Sequence, residues 1–272
     1  METKMFKQSY LINLLCLFVV MGFSSAAIAD HAWNDYHWAS TVNPLHLKVI
    51  DSVSNSWQTQ LETALEKWNA SPEIKMRVAS IDDSDRARKR CNAVTGQLRV
   101  CNAAYGNNGW LGLASIYLDS SAHITKGVSK MNDSYQSYWA ILGMKNHVMC
   151  QEIGHVLGLG HTSVDGTSQK TCMDYSTDPD SQWPNDHDLA QLAIIYAHLD
   201  SYNTNDTTGN TTSSNCIQPG KCSKNNAAEP VPVPMGILVH RGKYHETWVA
   251  PGEDGGLWIH QIRLVPEEYL NQ

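Results

Sequence analysis

Apolar and polar residues alternate over residues 45–50, the two-residue period of a strand with one face inward. The next apolar set is Trp57, Leu61, Ala64, Leu65 and Trp68. It recurs every three or four positions and predicts an amphipathic helix, capped by Ser54 or Ser56 and closed near Asn69 ahead of Ser71-Pro72. Residues 74–78, 97–102, 110–118 and 123–131 read as further strands, with Asn107-Asn108-Gly109 as a turn between the middle two. Residues 82–90 are charged and read as a solvated loop. Residues 139–148 carry no proline and are helix-compatible, running into a second helix over 151–157. Pro184-Asn185-Asp186 starts a closing helix over 187–199, with Leu189, Leu192, Ile195 and Leu199 on one side. Residues 33–44 form an aromatic-rich lead-in.

The pattern changes after residue 200. Residues 201–234 are rich in Asn, Thr and Ser and end in Pro230-Val231-Pro232-Val233-Pro234, the composition of a linker. Residues 235–272 hold strand-like runs at 237–240, 246–250 and 257–264, with a hairpin turn at 252–256. A segment this short makes a poor core of its own. It reads as a β-hairpin appendage on the preceding domain, the other reading being a small substrate-recognition module. His240, His245 and His260 stand at no ligand spacing and read as structural.

Composition adds the address. The chain has 272 residues, 42% of them hydrophobic, and a formal charge of −7. A moderately acidic chain without a long basic run is a poor partner for nucleic acid. Lys4 and Lys7, the apolar run 11–23 and Ala27-Ile28-Ala29 form an export signal over residues 1–29, with Asp30 as the mature N-terminus. The expectation is a secreted or periplasmic protein, without stable membrane association after cleavage, acting as a monomer. Cleavage leaves six cysteines, 91, 101, 150, 172, 216 and 222, and an even number in an exported chain favours disulfides. Many pairings are open; the local choice is Cys91–Cys101, Cys150–Cys172 and Cys216–Cys222. No C-x-x-C spacing supports a cysteine zinc site instead.

The chemistry is concentrated in Gln151-Glu152-Ile153-Gly154-His155-Val156-Leu157-Gly158-Leu159-Gly160-His161. Positions 151 and 155 lie one helical turn apart on one face and reach one metal ion. Glu152 borders that face without being a ligand, which is where a general base for a metal-bound water belongs. Gly158 supplies the turn that brings His161 back. His147 lies too far along the helix to share the ion. Cys172-Met173-Asp174-Tyr175 follows, and a Cys150–Cys172 bridge would tie it to the helix.

Together these stretches resemble the metzincin clan of zinc peptidases, whose signature H-E-x-x-H-x-x-G-x-x-H differs here in its first letter and is followed by a methionine turn. The order of elements over residues 30–200 is most similar to matrixin-like members, while Tyr175, two residues after Met173, is similar to astacin-like and serralysin-like ones. The resemblance implies an α+β catalytic domain: a twisted mixed β-sheet, an active-site helix, a Met-turn and a C-terminal helix, followed by the small C-terminal β appendage. It implies zinc held by Gln151, His155 and His161, with Gln151 in place of a histidine, and Glu152 acting on a protein or peptide substrate. Tyr175 either assists the oxyanion or packs beneath the site, and Met173 forms a hydrophobic base under the metal. The strand at 110–116 is either the cleft edge, where a substrate would add as a strand, or an interior strand. The competing function is a catalytically weak or inactive metzincin-fold protein that binds peptides.

Overall fold

The computed structural model describes residues 31–205, 231–252 and 254–270. The export signal, most of the linker and the Cys216–Cys222 pair lie outside the described residues. In chain order the elements are β1 (His37–Trp38), β2 (Leu45–Ser52), α1 (Gln58–Trp68), β3 (Ile74–Ile81), α2 (Asp85–Arg90), β4 (Gln97–Ala103), β5 (Trp110–Leu118), β6 (His123–Asn132), α3 (Gln136–Trp139), α4 (Met144–Val156), α5 (Asp186–Ile195), β7 (Ile237–Arg241), β8 (His245–Pro251) and β9 (Leu257–Leu264). The fold is α+β around one mixed sheet.

The sheet runs β3-β2-β4-β6-β5-β9-β8-β7, with β1 beside β6. Strands β2, β3, β4 and β6 pair in parallel, and β5 turns antiparallel to β6. The alternation in β2 does what its period demands: Leu45, Leu47 and Val49 are buried, and they join Leu61, Ala64, Leu65 and Trp68 of α1 in the main core. Helix α4 crosses the same face and is buried along nearly its whole length. Neighbouring side chains satisfy its backbone: Trp68 Nε1 donates to the Cys150 carbonyl (3.1 Å), Ser129 Oγ to that of Glu152 (2.9 Å) and Trp38 Nε1 to that of Val156 (3.0 Å). The last four carbonyls of a helix have no partners within it, and Trp38 takes up that of Val156.

Three features depart from the sequence reading. Residues 85–90 form a helix, not a loop, because Ser84 accepts from the Ala87 amide as an N-cap and the last turn is basic; capping and dipole complementarity outweigh the lack of an apolar face. The closing helix stops at Ile195, which frees residues 196–200 to fold back. The C-terminal strands continue the main sheet: β9 pairs antiparallel with β5 along its length, so β5 is an interior strand in this conformation. The Cys91–Cys101 and Cys150–Cys172 bridges are present. Among the described residues no helix is long and apolar enough to cross a membrane.

Candidate active site

Helix α4 presents Gln151, Glu152 and His155 in the interior, each 1% exposed or less. The helix ends at Gly158, whose φ of +96° falls in the left-handed region. A Cβ there would meet the Tyr36 carbonyl oxygen at 2.1 Å, so geometry and space both require glycine. The chain then returns, held by the Gly160 amide on the His31 carbonyl (2.5 Å) and the Thr162 amide on the Met173 carbonyl (2.9 Å). His161 thereby lies against His155, ring centroids 4.5 Å apart. Met173 is buried with its sulfur against Gly154, and the Cys150–Cys172 bridge joins its neighbour to the helix.

Hydrogen bonds set the state of each group. His155 Nδ1 is 2.8 Å from the Leu159 carbonyl. A carbonyl only accepts, so Nδ1 carries the proton and Nε2 is left as a lone pair. Burial holds His155 neutral by lowering its pKa to about 4. Tyr175 is buried, its hydroxyl 2.5 Å from His161 Nε2, and burial raises its pKa. Both carboxylate oxygens of Glu152 are buried without a hydrogen-bond partner, and desolvation raises its pKa well above the usual range. Glu152 lies against Gly112 of β5, where a Cβ would sit 2.3 Å from Oε1.

Gln151 is held at both ends. Its Nε2 donates to the Asp174 carbonyl (2.8 Å), and its Oε1 accepts from Arg263 Nη1 (2.9 Å). A guanidinium only donates and a carbonyl only accepts, so this amide orientation is dictated by its partners. The carbonyl oxygen expected to face a metal therefore faces Arg263. His147 Nε2 contacts the same Asp174 carbonyl at 3.0 Å.

Arg263 and His245 are the site residues that sequence reasoning missed. Strand register explains both. Arg263 of β9 pairs with Gly112 of β5 and with His245 of β8, and residues paired across strands share a face. The row Gly112, Arg263, His245 thus points at the helix. Arg263 is 4% exposed, with its guanidinium 5.3 Å from the centre of the Tyr175 ring. The His245 ring stacks on Tyr175 and lies 5.1 Å from the His161 ring. A cavity of about 390 Å³ lined by Tyr175, Thr177, Tyr244 and Arg263 adjoins this cluster.

The donors suit zinc in kind: a lone pair on His155 Nε2 and a second imidazole from the turn, with the orphaned carboxylate of Glu152 on the same helix. In this conformation, however, Tyr175 and Arg263 satisfy His161 and Gln151.

No protein-family model matches the chain, and no curated protein sequence matches it. Solved structures similar to it include myroilysin, at 12% identity over 58% of this chain and 82% of that one, TM-score 0.34. Another is high choriolytic enzyme 1, a hatching-enzyme zinc-protease of the medaka fish Oryzias latipes, at 11% identity over 60% and 95%, TM-score 0.33.

Proposed function

We propose that the chain is an exported, zinc-dependent metalloendopeptidase of metzincin type, closed in this conformation by its own C-terminal strand. The observation that carries the reading is Glu152: a carboxylate buried against Gly112 one helical turn before His155, with neither oxygen hydrogen-bonded. An unsatisfied buried carboxylate is costly, and its retention makes sense where a partner arrives during function. His155, His161 and Gln151 would hold zinc, which when bound polarises a carbonyl and acidifies a water.

The protein's own residues do the rest. Glu152, with its pKa raised by burial, takes a proton from the attacking water and passes it to the leaving amine. Tyr175, its hydroxyl already directed into the site, donates to the oxygen that gains charge. Met173 supports the helix from below through Gly154. A substrate backbone would add to β5 antiparallel, the position β9 fills here. Opening therefore requires β9 to yield and Arg263 to release Gln151.

The Arg263–Gln151 and Tyr175–His161 bonds are on the side of a weak or inactive peptide-binding protein, and the buried Glu152 weighs against it. Quenched casein decides between them. Wild type should turn it over, a chelator should stop turnover and zinc should restore it, and Glu152→Gln should lower the rate on the order of 10²–10⁴-fold without unfolding the protein. Turnover that survives in Glu152→Gln, or none in wild type supplied with zinc, would sink the reading.

A further inference from the structure

A second cluster of imidazoles lies outside this site. His37 of β1, His123 at the start of β6 and His198 beyond α5 all turn Nε2 toward one oxygen, Asp200 Oδ1. The separations from that oxygen are 3.6, 3.4 and 3.7 Å, and His37 Nε2 is 3.2 Å from His198 Nε2. Charge-assisted hydrogen bonds are shorter, about 2.7–2.9 Å. The corners of a tetrahedron of ligands around zinc, at bond lengths of about 2.0–2.1 Å, lie about 3.3–3.4 Å apart. The spacing fits a shared ion better than it fits direct ion pairs.

The protonation pattern agrees. His37 Nδ1 is 2.7 Å from the Asp35 carbonyl, which only accepts, so Nδ1 carries a proton and, in the neutral ring, Nε2 keeps its lone pair. His123 Nδ1 is 2.5 Å from the Tyr202 hydroxyl, whose own proton goes to Asp119 Oδ2 at 2.7 Å. That hydroxyl must therefore accept from Nδ1, and in the neutral ring His123 Nε2 is bare as well. Asp200 Oδ2 is turned outward by the Ser40 amide at 2.8 Å, leaving Oδ1 to face inward. Two neutral imidazoles so oriented aim lone pairs at a carboxylate oxygen, an arrangement that a metal ion or a proton between them relieves. Each outer hydrogen bond is also the second partner that a metal-bound histidine or carboxylate ordinarily has.

We propose that His37, His123, His198 and Asp200 form a second, structural metal site that takes zinc. Three nitrogens and one carboxylate oxygen suit that ion. Four protein ligands leave no open position, which makes the site a staple. It joins the lead-in, the sheet and the segment after α5. The lead-in is also bonded to the end of α4, through Trp38 to the Val156 carbonyl and the Trp33 amide to the Gly158 carbonyl (2.7 Å). Metal at His37 would thus hold the strap that sets the helix terminus.

The proposal does not rest on the peptidase reading, and its test avoids activity. The mature chain carrying His155→Ala and His161→Ala, stripped with a chelator, is titrated with Co²⁺ and then Zn²⁺. The expected result is one equivalent bound with the visible absorption of four-coordinate Co²⁺, and a rise in Tm with Zn²⁺. Adding His198→Ala, at a half-exposed position, or Asp200→Asn, should weaken binding by at least about 10-fold and abolish the Tm rise. Should the double variant not fold, zinc content of wild type against His198→Ala gives the same comparison, with a loss of one equivalent expected. No tight metal in the His155/His161 variant, or affinity unchanged by His198→Ala and Asp200→Asn, would overturn the site.

Discussion

Arg263 brings a permanent charge into an interior that offers it three things: the Gln151 carbonyl oxygen, the Asp174 carbonyl and the face of Tyr175. Removing the first is informative. Gln151→Leu strands a charged donor and should cost on the order of 1–3 kcal/mol, read from urea unfolding midpoints. Gln151→His, by contrast, offers a better zinc donor than an amide oxygen, and chelator competition should show tighter zinc binding. His260 is a separate case. Burial lowers its pKa to about 4 while Ser115 contacts its Nδ1. Between that value and the ordinary value of about 6.5 the unfolded chain binds more protons. The stability His260 contributes is complete above about pH 6.5 and is lost as pH falls through about 4. His260→Gln should accordingly lose less stability than wild type between pH 7 and pH 4.5, as measured by unfolding midpoints.

At the scale of elements, α4 is held by its ends and by one covalent link. The Cys150–Cys172 bridge closes a sequence separation of 22, for which chain entropy suggests about 3 kcal/mol. Cys150→Ala with Cys172→Ala should lower the unfolding free energy by about that much, and peptide mapping of the wild type without reductant should recover the linked pair. Helix α4, its glycine turn and the positions of Glu152 and His155 were legible because short-range spacing encodes them. The strand segments were legible for the same reason, through alternation. Strand neighbours were not: nothing local distinguishes β5 as an edge from β5 as an interior strand. Arg263 left one readable trace. Leu257 and Ile259 pack toward the main core, and the same parity ends at Arg263, a charge on the inward row. Its partner Gln151 stands 112 residues away in sequence, beyond any periodicity. The second histidine cluster was hidden for the same reason, its members being drawn from the lead-in, a strand start and a post-helix turn.

At the scale of the molecule, one sheet carries both the helix-bearing half and the C-terminal strands, and their junction is the β5–β9 ladder. That ladder puts a positive charge where the proposed chemistry needs a metal, so Arg263 and zinc compete for Gln151 and for the electrostatics around Glu152. Coulomb repulsion between two cations in a water-poor interior disfavours holding both at once. The most direct measurement is quenched-casein turnover at saturating zinc by wild type, Arg263→Ala and Arg263→Ala/Glu152→Gln, each confirmed as folded by circular dichroism. The account predicts that Arg263→Ala is faster than wild type and that the double variant is inactive. Equal rates for wild type and Arg263→Ala, or turnover that persists without Glu152, would contradict it.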